Sequence, residues 1–297
     1  MGIDVNLRQK GLFKKKIDYS LIQEVADSLK LTITSSDSYF RSVPYNGTPL
    51  HETVLILYDN KLISRGFAIE INSNYYDCFL RQTYFCNDND IRNFFEFISA
   101  FAKKLKINEY EKDEELLPLS DIPSRITKEI EFNRRNLITP LNEDKYPDTI
   151  YAAINPIWIE PYAIEALLQM DEENAMMYWS QYLHNKQNRD YYYAVPHFYK
   201  DNKDLIFGNF ALTENCLTVF PIEAYIPYGV NLKSEDISYY QILLGSSSDN
   251  NKNIMIPFED LWNYFPFDSL ESYDRRHVFI TLDSDTLNII LEKSRSS

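Results

Sequence analysis

A chain of 297 residues with 44% hydrophobic and 25% charged side chains has the composition of a folded protein with one large core or two ordinary ones, not of a disordered segment. Seven glycines leave little supply for Gly-rich phosphate loops. A formal net charge of −14 repels a phosphate backbone, so nucleic acid is not an expected partner.

The acidity is uneven. Residues 1–150 carry 20 Lys and Arg against 23 Asp and Glu, a net of −3, whereas residues 151–297 carry 10 against 21, a net of −11. Lys14, Lys15 and Lys16 form a basic patch near the N-terminus, but no apolar stretch follows, so no signal peptide is expected. The longest clean apolar run, Val54 to Tyr58, is too short to span a bilayer, and no membrane partner is expected. The chain has three cysteines. If 75–86 is one strand, Cys78 and Cys86 stand roughly 27 Å apart at about 3.4 Å per residue, far beyond the ~7 Å reach of a disulfide. Reduced thiols and a cytoplasmic location are the expectation.

Ile3 to Leu7 alternates as a short strand, and Asp18 to Lys30 reads as a helix with Leu21, Ile22, Val25, Ala26 and Leu29 on one face. Ser20 and Gln23 stand at the spacing of a capping box. Two β-rich runs follow, 53–58 and 61–71, joined by Asp59-Asn60, residues that tolerate the backbone of a two-residue hairpin. A turn at Asn72-Ser73-Asn74 leads to the strand 75–86. The strongest helix opens on Asp88 and Asp90, repeats Ile91, Phe94, Phe95, Ile98, Phe101, Ala102 and Leu105, and closes on lysines that complement its dipole. Its phenylalanine stripe must pack on the meander. Residues 107–124 change character, with a charged run at 109–115 and prolines at 118 and 123. We therefore expect an N-terminal domain over 1–107, a connector over 108–150 and a second domain over 151–297. Arg125 to Asn136 reads as a further helix whose Arg134-Arg135 pair is a solvated end.

In the second half, Tyr151 to Ile159 is extended and broken by Asn155-Pro156. Pro161 suits the first turn of a helix, and Asp171 caps another that carries Ala175, Met176, Trp179, Tyr182 and Leu183. Strand candidates then follow at 191–199, 205–213, 217–226, 237–244 and 277–282, with a polar loop at 246–253. A short helix is expected at 257–265 and a terminal one at 283–293. Strands in blocks with helices at their ends give an α+β class: an antiparallel meander packed by a helix, then a second mixed antiparallel sheet with helices.

None of the four histidines, His51, His184, His197 and His277, stands at metal-ligand spacing to another, and no nucleophile elbow or phosphate loop is present. No metal or cofactor is expected. The most suggestive run is Asp190 to Tyr199. In a single strand, Tyr191, Tyr193 and Val195 share one face, and tyrosines offer flat apolar bodies with polar tips. Tyr191, Tyr193, His197 and Tyr199 are the candidate ligand-binding residues; a half-buried strand is the plainer reading of the same pattern. Arg275-Arg276-His277 is a basic spot whose plainer role is pairing with Asp274. Glu259-Asp260 and Asp283-Ser284-Asp285 read as helix caps.

The order of elements, the opening strand, Leu12-Phe13-Lys14-Lys15, the hairpin through Leu57-Tyr58-Asp59-Asn60, and Asn155-Pro156-Ile157-Trp158 together resemble an uncharacterised family of cytoplasmic proteins from low-GC Gram-positive bacteria. The resemblance covers most of the chain. That family has no established activity or catalytic residues, so the resemblance implies none here.

Three functional expectations stay open. The first is a non-enzymatic binding module that uses an acidic, tyrosine-rich surface of the second half (Tyr191–Tyr193, Tyr225, Tyr228, Tyr239, Tyr240) against a basic protein. An immunity-type inhibitor is one version of it. The second is a hydrolase-like enzyme built on dispersed carboxylates and His197 or His277, which requires a cleft holding that histidine beside an acid. The third is a structural subunit of an assembly.

Overall fold

Alternation of apolar and polar residues builds the first strand, β1 (Gly2–Arg8), whose Ile3, Val5 and Leu7 are buried. The computed structural model describes residues 2–142, 147–227, 229–246, 249 and 252–295, and the chain divides into two units, Met1–Asn188 and Arg189–Ser297. Tyr228 and part of the expected polar loop lie outside the described residues. Drawn at this boundary, the charge divides evenly: residues 1–188 carry 21 Lys and Arg against 28 Asp and Glu, and residues 189–297 carry 9 against 16, each a net of −7.

In the first unit, α1 (Tyr19–Ser28) is capped by Asp18, which accepts from the Leu21 amide at 2.9 Å. The cap thus precedes the expected Ser20–Gln23 pairing. The strands β2 (Thr32–Ser36), β3 (Ser42–Val43), β4 (Val54–Tyr58), β5 (Phe67–Ile71) and β6 (Asp77–Thr83) follow. The helix α2 (Asp88–Lys104) lays Phe94 and Phe97 against Phe67 of β5, with ring centroids 5.6 and 5.4 Å apart. The phenylalanine stripe covers the meander, as expected, and the cluster is built of buried apolar side chains.

The expected connector is structured. Its charged run forms β7 (Glu109–Lys112), paired with β8 (Glu115–Pro118), and β7 joins β1 through Val5 and Asn6. The sheet therefore runs β3-β2-β4-β5-β6-β1-β7-β8, antiparallel throughout. Tyr110 and Leu117 point into the core while the glutamates alternate outward. The helix α3 (Ile122–Asn142) follows, and its Arg134 is no solvated end, because it grips the Asp88 carboxylate from Nε and Nη2. A short hairpin of β9 (Thr149–Tyr151) and β10 (Pro156–Trp158) and the helices α4 (Pro161–Leu167) and α5 (Glu172–Gln187) complete the unit.

The join between β4 and β5 is not a two-residue turn. It is an excursion over residues 59–66 that folds inward and meets the start of α2 in a buried polar knot. Asn87 caps α2 by accepting from the Asp90 amide at 2.7 Å. One Asp90 carboxylate oxygen accepts from the amides of Arg65 (2.9 Å) and Gly66 (3.0 Å). Ser64 Oγ accepts from the Asn87 amide, and the Ser64 carbonyl accepts from Gln187 Nε2 of α5 and from the Ala153 amide. The Gln187 carbonyl oxygen takes the Ile154 amide, while the Arg65 guanidinium donates to the carbonyls of Tyr84 and Tyr151. Gly66 sits at φ +61°, where a Cβ would meet the Leu57 carbonyl at 2.5 Å, so only glycine fits.

The second unit alternates between two four-stranded sheets. One has the order β11 (Tyr192–Tyr193), β14 (Leu217–Pro221), β18 (His277–Thr281), β17 (Ser272–Asp274). The other has the order β12 (His197–Lys200), β13 (Ile206–Thr213), β15 (Ile237–Gly245), β16 (Ile254–Pro257). The pairs β11–β14 and β13–β15 are parallel and the others antiparallel. Phe210, Leu212, Phe220, Ile242, Leu244, Ile280 and the terminal helix α6 (Ser284–Arg295) share one core. The fold is α+β, with an antiparallel sheet in the N-terminal part and mixed sheets in the C-terminal part.

The knot carries a testable pH dependence. Burial holds the Asp90 carboxyl up at about 6, against 3.8 for an exposed aspartate, with the Arg65, Ser64 and Gly66 hydrogen bonds opposing. The folded state therefore binds this proton more tightly than the unfolded chain, and the group's stabilising contribution is lost as pH rises through that interval. The stability of the wild type relative to Asp90→Asn should fall by about 2–3 kcal/mol between roughly pH 4 and pH 7. Denaturant titrations of both proteins across that range read it.

Candidate functional site

Pro196 divides the run 190–199. Without an amide hydrogen, proline cannot continue a ladder, and the chain leaves one sheet for the other there. The four candidate residues are thereby separated into two places. Tyr191 and Tyr193 stay with the β11 sheet, and His197 and Tyr199 enter β12.

Around Tyr193 the structure gathers a closed aromatic cluster. His277 Nδ1 lies 2.9 Å from Asp274 Oδ1, which also accepts the amides of Arg276 and His277. On the other side, His277 Nε2 lies 3.2 Å from the Tyr193 hydroxyl. With Asp274 as the carboxylate acceptor, Nδ1 carries the ring proton and Nε2 accepts from Tyr193. Tyr273, Tyr225 and Tyr193 surround the imidazole at centroid distances of 6.4, 5.8 and 5.1 Å. The Tyr191 hydroxyl meets that of Tyr273 at 3.2 Å. Burial, with the Tyr225 hydroxyl next, pushes the Tyr193 phenol well above its ordinary value. His277 is 0% exposed. A cavity of about 320 Å³ lies nearby, lined by Ile222, Glu223, Ala224, Tyr225, Arg275 and Arg276. His277 does not line it.

A general base needs a nitrogen that substrate can reach. Here both ring nitrogens are engaged and the ring is sealed, so the triad of Asp274, His277 and Tyr193 locks β17, β18 and β11 together. The basic spot thus pairs with Asp274 through His277, and the same Oδ1 takes the turn amides.

His197 and Tyr199 lie on the outer surface of the second sheet. The registers align Tyr199, Phe207 and Tyr239 in one cross-strand row. The rings of Tyr199 and Phe207 are 5.8 Å apart, and those of Phe207 and Tyr239 stack at 5.2 Å and 3°. A second row holds His197, Asn209, Gln241 and Pro257, and a third Ala211, Leu243 and Met255. None of these ten side chains is a carboxylate, an ammonium or a guanidinium. Tyr199, Met255 and Tyr239 are 53%, 43% and 40% exposed. Near the centre of the face, Asn209 Oδ1 is covered and makes no hydrogen bond among the described residues.

The rim is charged. Asp201 and Asp204 lie in the turn after β12, Glu235 and Asp236 precede β15, and Glu259 and Asp260 follow β16. Lys200, Lys203 and Lys233 oppose these six carboxylates. The sequence singled out His197, Tyr199, Tyr239 and Tyr240. It missed Phe207, whose place between two tyrosines comes from the parallel pairing of β13 with β15. Tyr240 belongs to the opposite, inward face, where its ring lies over Gly208; a Cβ there would meet it at 2.4 Å. Among the described residues no group of three or more His, Cys, Asp or Glu side chains is placed to hold a metal ion.

The lock is testable. Tyr193→Phe removes the donor to a fully buried imidazole nitrogen, and it should lower unfolding stability by about 1–3 kcal/mol. The readout is the denaturant midpoint. A midpoint equal to wild type would mean that the hydroxyl contributes nothing to the lock.

No curated protein and no solved structure matches the chain. The model of a domain of unknown function, DUF4299, matches residues 2–290 and so takes in both units, in keeping with the uncharacterised family suggested by the sequence; the chain belongs to the DUF4299 family.

Proposed function

We propose that the protein is a non-enzymatic binding module, and that the outer face of β12, β13, β15 and β16 receives a basic protein partner. The observation that carries this reading is the uncharged aromatic row in cross-strand register, with Tyr199 and Tyr239 exposed on either side of a half-buried Phe207. Antiparallel and mixed sheets commonly turn one face to water, but that face is then polar. Aromatic rings left in water favour burial against another surface, and an apolar centre within a polar rim is the anatomy of a protein interface.

The rim sets the chemistry of the partner. Six carboxylates against three lysines favour a surface with apolar side chains ringed by Lys and Arg, and such charge complementarity raises association rates and sets orientation. An inhibitor that masks a basic protein surface is the form of this function that the rim charge favours. The hydrolase reading receives no such support, because His277 is sealed and His197 stands exposed on the outer face of a sheet.

The experiment is capture from the native host at low salt by the immobilised full-length chain, followed by titration of the purified partner. We expect a basic protein whose affinity weakens as salt rises. The Tyr199→Ser/Tyr239→Ser variant should bind it at least about tenfold more weakly, equivalent to ~1.4 kcal/mol. Absence of a partner at low salt, or equal binding by the double variant, would overturn the proposal. A homodimer that the same variant abolishes would assign the face to self-assembly instead.

A further inference from the structure

We propose that the loop between β1 and α1 is a membrane-surface anchor, which inserts Leu12 and Phe13 among the headgroups of an anionic bilayer. The two side chains are 96% and 100% exposed, the most exposed large apolar residues described in the chain. They do not hang on a loose segment. Gln9, itself buried, closes the loop at its neck: its amide nitrogen donates to the carbonyls of Lys15 and Tyr76, both at 2.7 Å, and its oxygen accepts from the Lys15 amide at 2.7 Å. The Gln9 backbone amide donates to Asp77. Just beyond the neck, buried Ile17 donates its amide to the Tyr75 carbonyl at 2.7 Å. Gly11, at φ +88°, turns the chain into the tip with open space around it.

A collar of cations surrounds this tip. From Val5 to Ile17 the chain carries Arg8, Lys10, Lys14, Lys15 and Lys16 and no carboxylate. Lys106, beyond the end of α2, lines the same recess as Lys10 and Phe13. Glu109 pairs with Lys10 and Glu111 with Arg8. Lys14 and Lys16 lie over the rings of Tyr76 and Tyr75, at 6.0 and 4.8 Å. These stems keep their ammonium groups close to the loop base.

An apolar tip and a basic collar are the two signals that together hold a peripheral protein on an anionic membrane. A protein socket would need a wall complementary to the collar. A fluid headgroup layer lets each ammonium find its own phosphate while two side chains enter the acyl boundary. The net charge of −14 does not oppose this, since at physiological ionic strength charges act over only about 8 Å. Nor is a spanning helix required: no helix among the described residues is long and apolar enough to cross a membrane. The sequence expectation of no membrane partner rested on that criterion alone.

Co-sedimentation of the full chain tests the proposal, using phosphatidylcholine vesicles with and without about a third phosphatidylglycerol. We expect binding that requires the anionic lipid. The Leu12→Ser/Phe13→Ser variant should lose at least tenfold in partition, as should Lys14→Glu/Lys15→Glu/Lys16→Glu, with unfolding midpoints unchanged. A Phe13→Trp variant should gain blue-shifted emission on addition of the anionic vesicles. Failure to sediment with anionic vesicles at low salt, or binding unaltered by Leu12→Ser/Phe13→Ser, would overturn it.

Discussion

The first unit depends on a single buried carboxylate. Asp90 receives the amides of Arg65 and Gly66, and around it Asn87, Ser64 and Gln187 exchange hydrogen bonds among four chain segments. Each of these groups would be costly to bury alone. Together they fix where α2 begins, how β4 returns to β5 and where α5 stops. Partial satisfaction is not available to such a network, because loss of one member strands the next. The conformation of Gly66 and the inward course of residues 59–66 follow from serving it.

The legible parts of the fold are those in which local pattern and tertiary demand agree. The phenylalanine stripe of α2, the Asp171 cap and Pro161 at a first turn needed no partner to be read. Asp59-Asn60 satisfies a hairpin turn on its own terms, and only the knot shows why the join from β4 to β5 runs on to residue 66. In the charged run 109–115 the charges outweigh the alternation, so its strands are hidden in the sequence. Glu109, Tyr110, Glu111 and Lys112 nevertheless place a single buried ring between outward charges, the period of a strand. The split at Pro196 had a local signal as well. No local signal could have brought Phe207 beside Tyr239, since thirty-one residues and a strand of the other sheet intervene.

The tyrosines serve opposite ends. At Tyr191, Tyr193 and Tyr273 the hydroxyls are turned inward and consumed by one another and by His277, so the polar tips stabilise a core. At Tyr199 and Tyr239 the rings are exposed on either side of Phe207, Tyr239 stacked flat on it and Tyr199 tilted. The same residue type, enriched in the same half of the chain, thus gives one site its rigidity and another its adhesiveness. Neither use calls for a glycine-rich loop or a reactive nucleophile, so neither leaves a catalytic motif in the sequence.

Between β13 and β15, which pair in parallel, the chain departs to build β14 in the other sheet, and β11 and β12 likewise fall in different sheets. Neither sheet of the second unit can therefore be completed before the other has begun. Its contacts are non-local, so their loop-closure entropy must be met before they are rewarded, and assembly should be slow and all-or-none. A fragment ending before β16 would leave both sheets of this unit incomplete. The aromatic row itself forms once β15 has paired with β13, a contact that must skip over β14 and so depends on both sheets being under way.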